Sequence, residues 1–174
     1  MAACEDVFDA FLLESAGLGA KRAALLLQLP PSFAFETSIV CAFFEMVRAR
    51  YDGLLACEPR HATWFAAAAG DDLRRFHVAR VAADPARVPE AALPGGWDGF
   101  AYYRWHGSPR TYYSAYGAER VAEFAQLVTA AQRPAWCIFD NTTLGAATED
   151  ARTFAQRCAA SRSSGTAQGN GQIR

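Results

Sequence analysis

Five short stretches of the sequence carry the residue types that binding and catalysis need: Gln28; Glu58, Arg60 and His61; Asp84; Arg104 and His106; and Asp140 and Asn141. Arginine is a rigid fork of donors matched to phosphate or carboxylate. Histidine can give or take a proton near neutral pH. Together they describe an anion site in which Arg60 and Arg104 clamp an oxyanion and His106 or His61 transfers a proton. Glu58 orients Arg60 or acts as general base, while Gln28, Tyr102, Asp84 and Asn141 complete the ligand contacts. The plainer reading is a salt-bridge network of Glu58 with Arg60 and Arg104 that only satisfies buried charge.

A divalent metal is the rival chemistry, with Glu58, His61, His106 and Asp140 as candidate ligands. An arginine beside each of these histidines opposes a dication, so no metal ligands are assigned and no cofactor is expected. His77 is set aside because it opens its run, about 23 Å from Asp84 at roughly 3.3 Å per residue. No Gly-x-Gly-x-x-Gly motif follows a strand and no Walker-type loop is present, so nothing points to a nucleotide cofactor. The tyrosines of loop 108–116 either stack on a base or sugar, with Arg110 on a phosphate, or pack as a lid. Asn141 either bonds ligand or caps the helix after it. Arg80 shares the strand parity of Asp84, so it pairs with that carboxylate or the register is shifted by one. Trp64 reads as a packing residue at a helix start, and Cys137 as a core residue rather than a nucleophile.

These residues need elements to hold them. Apolar residues at helical spacing predict helices at 5–16, 36–51, 63–75, 118–131 and 146–159. Short continuous apolar runs at 23–29, 53–57, 77–84, 100–105 and 135–139 predict strands buried on both faces. Strand alternation places Tyr102, Arg104 and His106 on one face. Strands alternating with helices predict a parallel sheet with right-handed crossovers. The polar stretches then fall at the carboxyl ends of the strands, the edge where such folds bind ligands.

Composition narrows the partners. The chain has 174 residues, 52% of them hydrophobic, and a net charge of −1. That suits one domain over 1–160, with a Ser/Gly/Gln-rich disordered tail at 161–174. The balance excludes a nucleic-acid binder driven by bulk charge, although contact with a nucleic-acid end stays open. Lys21 is the only lysine and the other sixteen basic residues are arginine, so arginine abundance alone says nothing of function. No apolar run reaches the roughly 18–20 residues that cross a bilayer. Five scattered cysteines without a Cys-x-x-Cys pair suggest neither a disulfide framework nor a zinc knuckle. The expected setting is a reducing cytoplasm.

Four motifs in order carry a family resemblance: Gln28-Leu29-Pro30-Pro31-Ser32-Phe33, Glu58-x-Arg60-His61-x-x-Trp64-Phe65, Tyr103-Arg104-x-His106-Gly107 and Phe139-Asp140-Asn141. From about residue 8 to residue 158 the chain resembles the domain-of-unknown-function 72 (YecE-like) family. The resemblance implies an α/β fold, a partial TIM-barrel-like (β/α) arrangement of about five parallel strands with flanking helices. It implies no reaction. Upstream strands with a Ser-Gly-Trp motif find no match here, so the chain resembles strands 4–8 of such a barrel. Asp150-Ala151-Arg152 stands where the family has an Asn-Ala-Leu-type segment.

Five strands cannot close a barrel that needs about eight. The strands at 23–29 and 135–141 would be exposed edges, so a complementary segment or an oligomer is the expected partner, beside a small anionic ligand. Three functions follow: an enzyme, with hydrolysis of phosphate-bearing or sugar-like substrates as its expected reaction; a non-catalytic binder of small anions or nucleic-acid ends; or an inactive truncated remnant.

Overall fold

In the strand runs, alternate apolar side chains turn to opposite faces, and each face is covered by something different. The structure is a computed structural model describing residues 4–167, with side chains through residue 161. Its strands are β1 (Ala24–Gln28), β2 (Leu54–Glu58), β3 (Val78–Arg80), β4 (Ala82–Asp84), β5 (Gly95–Gly96), β6 (Ala101–Trp105) and β7 (Ala135–Phe139). Its helices are α1 (Glu5–Ser15), α2 (Thr37–Arg48), α3 (Ala67–Arg75), α4 (Gly117–Ala130) and α5 (Ala146–Ala167). The strands form two open sheets, ordered β1-β2-β3-β5 and β4-β6-β7, and neither closes into a barrel.

Where the sequence predicts one domain over 1–160, the chain divides into two compact units. Unit 1 comprises Met1–Ala82 and Ala86–Tyr102; unit 2 comprises Ala83–Pro85 and Tyr103–Arg174.

In unit 1, β1 pairs in parallel with β2, placing Gln28 beside Glu58, and β2 pairs in parallel with β3. One face of the sheet carries Leu25, Leu55 and Cys57 into a core with Val40, Phe44 and Val47 of α2, Leu73 of α3 and Trp64. On the other face Ala56, Ala79, Val81 and Phe100 cluster with the half-buried Tyr102. The Arg48 guanidinium ties these layers by donating to the carbonyls of Gly53 (2.8 Å), Phe76 (2.8 Å) and His77 (2.9 Å).

Two expectations about this region need correction. The predicted strand at 77–84 is two strands, because Val81 N bonds to Cys57 O and the chain then passes from one sheet to the other. The sheet is not wholly parallel either, since β5, which lies between the predicted strands 77–84 and 100–105, runs antiparallel to β3. Gly96 makes that pairing possible: its φ is +67°, and a Cβ there would lie 2.6 Å from Val78 O.

In unit 2, β6 alternates as predicted. Trp105 stacks flat on Phe124 of α4 (4.2 Å between ring centroids) and meets Phe139 and Phe154 edge-on. Tyr103, two residues away, packs against Trp105, so this face is apolar and helix-covered. Arg104 lies between them on the opposite face. α5 continues past its predicted end at 159 to Ala167, into the stretch expected to be disordered, because extending a helix is far cheaper than starting one. The remainder of that stretch, 168–174, lies outside the described residues.

Candidate active site at the strand ends of unit 2

The last residues of β6 and β7 bring a cation, an imidazole and a carboxylate together. The Arg104 guanidinium forms an ion pair with Asp140 Oδ2, and His106 Nδ1 lies 3.3 Å from the same oxygen. Arg104 and His106 are two residues apart, so strand alternation brings both to this face. Asp140 follows β7 directly, and its backbone N–H donates to Trp105 O (2.7 Å), fixing the register between the strand ends. His106 is 5% exposed with both ring nitrogens buried, while Asp140 retains partial exposure, so the carboxylate is the more accessible member of the pair. The imidazole and the guanidinium thus converge on a single carboxylate oxygen at the ends of two neighbouring strands.

A second layer holds this group in place. The half-buried Tyr116 hydroxyl accepts from Gly107 N (2.8 Å) and donates to Asp84 O (3.0 Å). Burial pushes the Tyr116 phenol well above its ordinary value, so it stays protonated as a donor. Asp84 O also receives His106 N (2.8 Å), and Asp84 Oδ1 accepts from Arg120 Nη2 (3.0 Å). Asn141 is fully buried, and its amide nitrogen donates to Ser114 O (3.0 Å) and Asp150 Oδ2 (2.7 Å). Asp150 Oδ2 also accepts Tyr116 N (3.1 Å), so one buried carboxylate ties the loop after β6 to α5.

The candidates therefore sort by location. Arg104, His106, Asp84 and Asn141 fall in unit 2 with Asp140, and Asn141 lies beneath the loop with its amide nitrogen held by protein groups. Asp84 pairs with Arg120, not with Arg80, whose guanidinium lies over the Phe65 ring at 4.7 Å. Burial lowers the Arg80 pKa, and the Glu90 carboxylate opposes that shift.

Gln28, Glu58, Arg60, His61 and Tyr102 fall in unit 1. Buried Glu58 receives Arg60 Nη2 at 3.4 Å. His61 Nδ1 accepts from Thr63 N (3.3 Å) and caps the short 3₁₀ helix Ala62–Phe65. Gln28 ends the edge strand β1, and Tyr102 packs on Phe100. Trp64 is fully buried and donates to Phe33 O (3.0 Å), as a packing residue should. Among the described residues, no three His, Cys, Asp or Glu side chains gather as a metal would require.

Sequence reasoning missed Asp150 as part of this site, and it read Tyr112 and Tyr116 only together, as loop tyrosines that stack on a ligand or pack as a lid. Asp150 and Tyr116 act through contacts 34 residues apart, which no local spacing announces. Tyr112 owes its place to a left-handed backbone (φ +70°) outside any helix or strand.

Comparison with known proteins bears on fold and family. A DUF72 family protein of Enterococcus faecalis V583, EF0366, superposes with a TM-score of 0.73 at 18% identity, over 91% of this chain and 67% of that one. A DUF72 family protein of Thermotoga maritima MSB8, TM1631, gives 0.64 at 23% identity, over 88% of this chain and 65% of that one. The chain thus spans about two-thirds of the length of these structures. No curated protein matches it. No helix among the described residues is long and apolar enough to cross a membrane. The family model described as "Protein of unknown function DUF72" matches residues 1–171, and with nearly the whole sequence covered, the chain belongs to the DUF72 family.

Proposed function

We propose that the strand-end cluster of unit 2 binds a small anion bearing a phosphate or carboxylate, and that it acts on that ligand as a hydrolase. Arg104 supplies the guanidinium, His106 the acid/base imidazole, and Asp140 holds both. The observation that carries the proposal is their convergence on one oxygen, Asp140 Oδ2. A guanidinium has five donors in a fixed fork, so it can serve a carboxylate on one edge and a ligand oxyanion on another. The proposed site draws on none of the unit 1 residues. A (β/α)-barrel reading of the fold is part of the same proposal, supported by the parallel pairing of β1, β2 and β3 and by the strand-then-helix order of the chain.

The test is a phosphate titration followed by NMR of the imidazole protons, which three histidines make simple to assign. His106 resonances should shift saturably, and Arg104→Ala should weaken binding at least about tenfold, on the scale of a lost charge-assisted contact. Arg104→Lys keeps the charge without the fork and should fall between. Turnover of p-nitrophenyl phosphate abolished by His106→Gln would establish the hydrolase, whereas binding without turnover would favour the non-catalytic alternative. An unmoved His106 in tens of millimolar phosphate would refute the site altogether.

A further inference from the structure

We infer that Tyr112 is the specificity residue of this site, and that the ligand is an oxyanion attached to a flat ring. This rests on the anion reading of the Arg104–His106–Asp140 cluster and adds the ligand's second half. The Tyr112 ring stands edge-to-face against the His106 imidazole, with centroids 5.5 Å apart and planes at 86°. It is 43% exposed, so a large aromatic surface borders the acid/base residue and solvent together.

The backbone at Tyr112 carries strain that the surroundings enforce. Its φ is +70°, a region that bulky residues rarely adopt. Among the described residues, two others besides glycine share the trait, His77 and Gln132, but each directly follows the C-cap of a helix (Phe76 of α3, Ala131 of α4), where a left-handed residue is the ordinary ending. Tyr112 follows no helix. Its N–H donates to His106 O, and its carbonyl accepts Thr143 N (3.1 Å). Ser114 N closes the turn onto Arg110 O (2.9 Å). The loop therefore presents this ring in one fixed place, and strain held by several bonds is a mark of functional positioning.

The other loop tyrosines are engaged elsewhere. Tyr116 spends its hydroxyl on Gly107 and Asp84. Tyr113 lies under the Arg110 guanidinium, 3.7 Å from its centroid. Tyr112 is the exposed ring beside His106, and a fixed aromatic face there is suited to stacking on a ring.

The test compares methyl phosphate with phenyl phosphate, and acetate with benzoate, by calorimetry on the wild type, Tyr112→Gly and Tyr112→Phe. Glycine accepts the positive φ, so Tyr112→Gly removes the ring without disturbing the backbone. In the wild type the ring should tighten binding about tenfold within whichever anion pair binds, the size expected of one stacking contact. Tyr112→Phe should keep that gain, and in Tyr112→Gly the ratio of ring-bearing to methyl-bearing ligand affinity should fall from about tenfold to about one. A wild type without the gain, or Tyr112→Gly retaining it, overturns the role of Tyr112 and leaves the anion site standing. A wild type that binds none of the four overturns the anion site and this inference with it.

Discussion

Burial decides how each polar or sulfur side chain behaves, and Cys137 shows the sign of the effect. Burial in unit 2, reinforced by Cys158 nearby, pushes its thiol up to about 12. A group whose folded pKa is raised contributes stability below its unfolded value and loses it as pH climbs toward the folded one. The protein should therefore lose stability progressively from about pH 9 to pH 12 in part through Cys137, and Cys137→Ser should flatten that decline in denaturation curves taken across the range. At pH 8, mass spectrometry after brief iodoacetamide treatment should find Cys137 unmodified, because the thiolate is the reactive form. Early alkylation of Cys137 would show the thiol to be less shielded than its surroundings imply. Its place in an apolar run reads as a core position, whereas the structure leaves Cys137 half-buried. Pairing Arg80 with Asp84 failed because parity along one run cannot reveal that the run is broken at Val81 between two sheets.

At the scale of elements, β6 did most to make the candidate site legible. Its alternation of Tyr103 and Trp105 with Arg104 is visible in the sequence, and the face it assigns to Arg104 is the face it takes. The loop after it was not legible in the same way, since its shape depends on Tyr116, Asn141 and Asp150 meeting across 34 residues of chain. Gly107 is where that loop begins. Its φ is +96°, and a Cβ would lie 2.8 Å from Ser114 O and 3.1 Å from the Asn141 Cβ. Both are backbone or buried atoms with little room to yield. Gly107→Ala should destabilise the protein by about 1–3 kcal/mol and push the loop outward, separating Tyr112 from His106. Urea denaturation measures the first effect and the His106 chemical shift the second; a variant as stable as wild type with an unmoved His106 would show that the loop tolerates the side chain.

At the scale of the molecule, each unit has its own aromatic centre, Phe44 in unit 1 and Trp105 in unit 2. Phe44 is fully buried and Trp105 nearly so. Replacing either with alanine should cost about 3–5 kcal/mol, a large share of the roughly 5–15 kcal/mol that holds a domain together. Calorimetry should record this as a fall in Tm of roughly 6–20 °C for a chain of this length. A fall of only a degree or two would mean that the core collapses around the gap. The order of strands and helices was legible because each carries its own apolar period, whereas the division into two units was not, because it depends on where the chain changes sheets rather than on composition.

Unit 2 takes Ala83–Pro85 from the middle of unit 1, and the boundary after Tyr102 falls inside β6. Cutting the gene once, anywhere, cannot part the halves cleanly: a fragment ending at residue 102 carries three residues that belong to the other half, and a fragment starting at 103 lacks them. A truncation from either end that reaches into residues 83–102 removes parts of both halves, so point substitutions are the sounder way to dissect this chain.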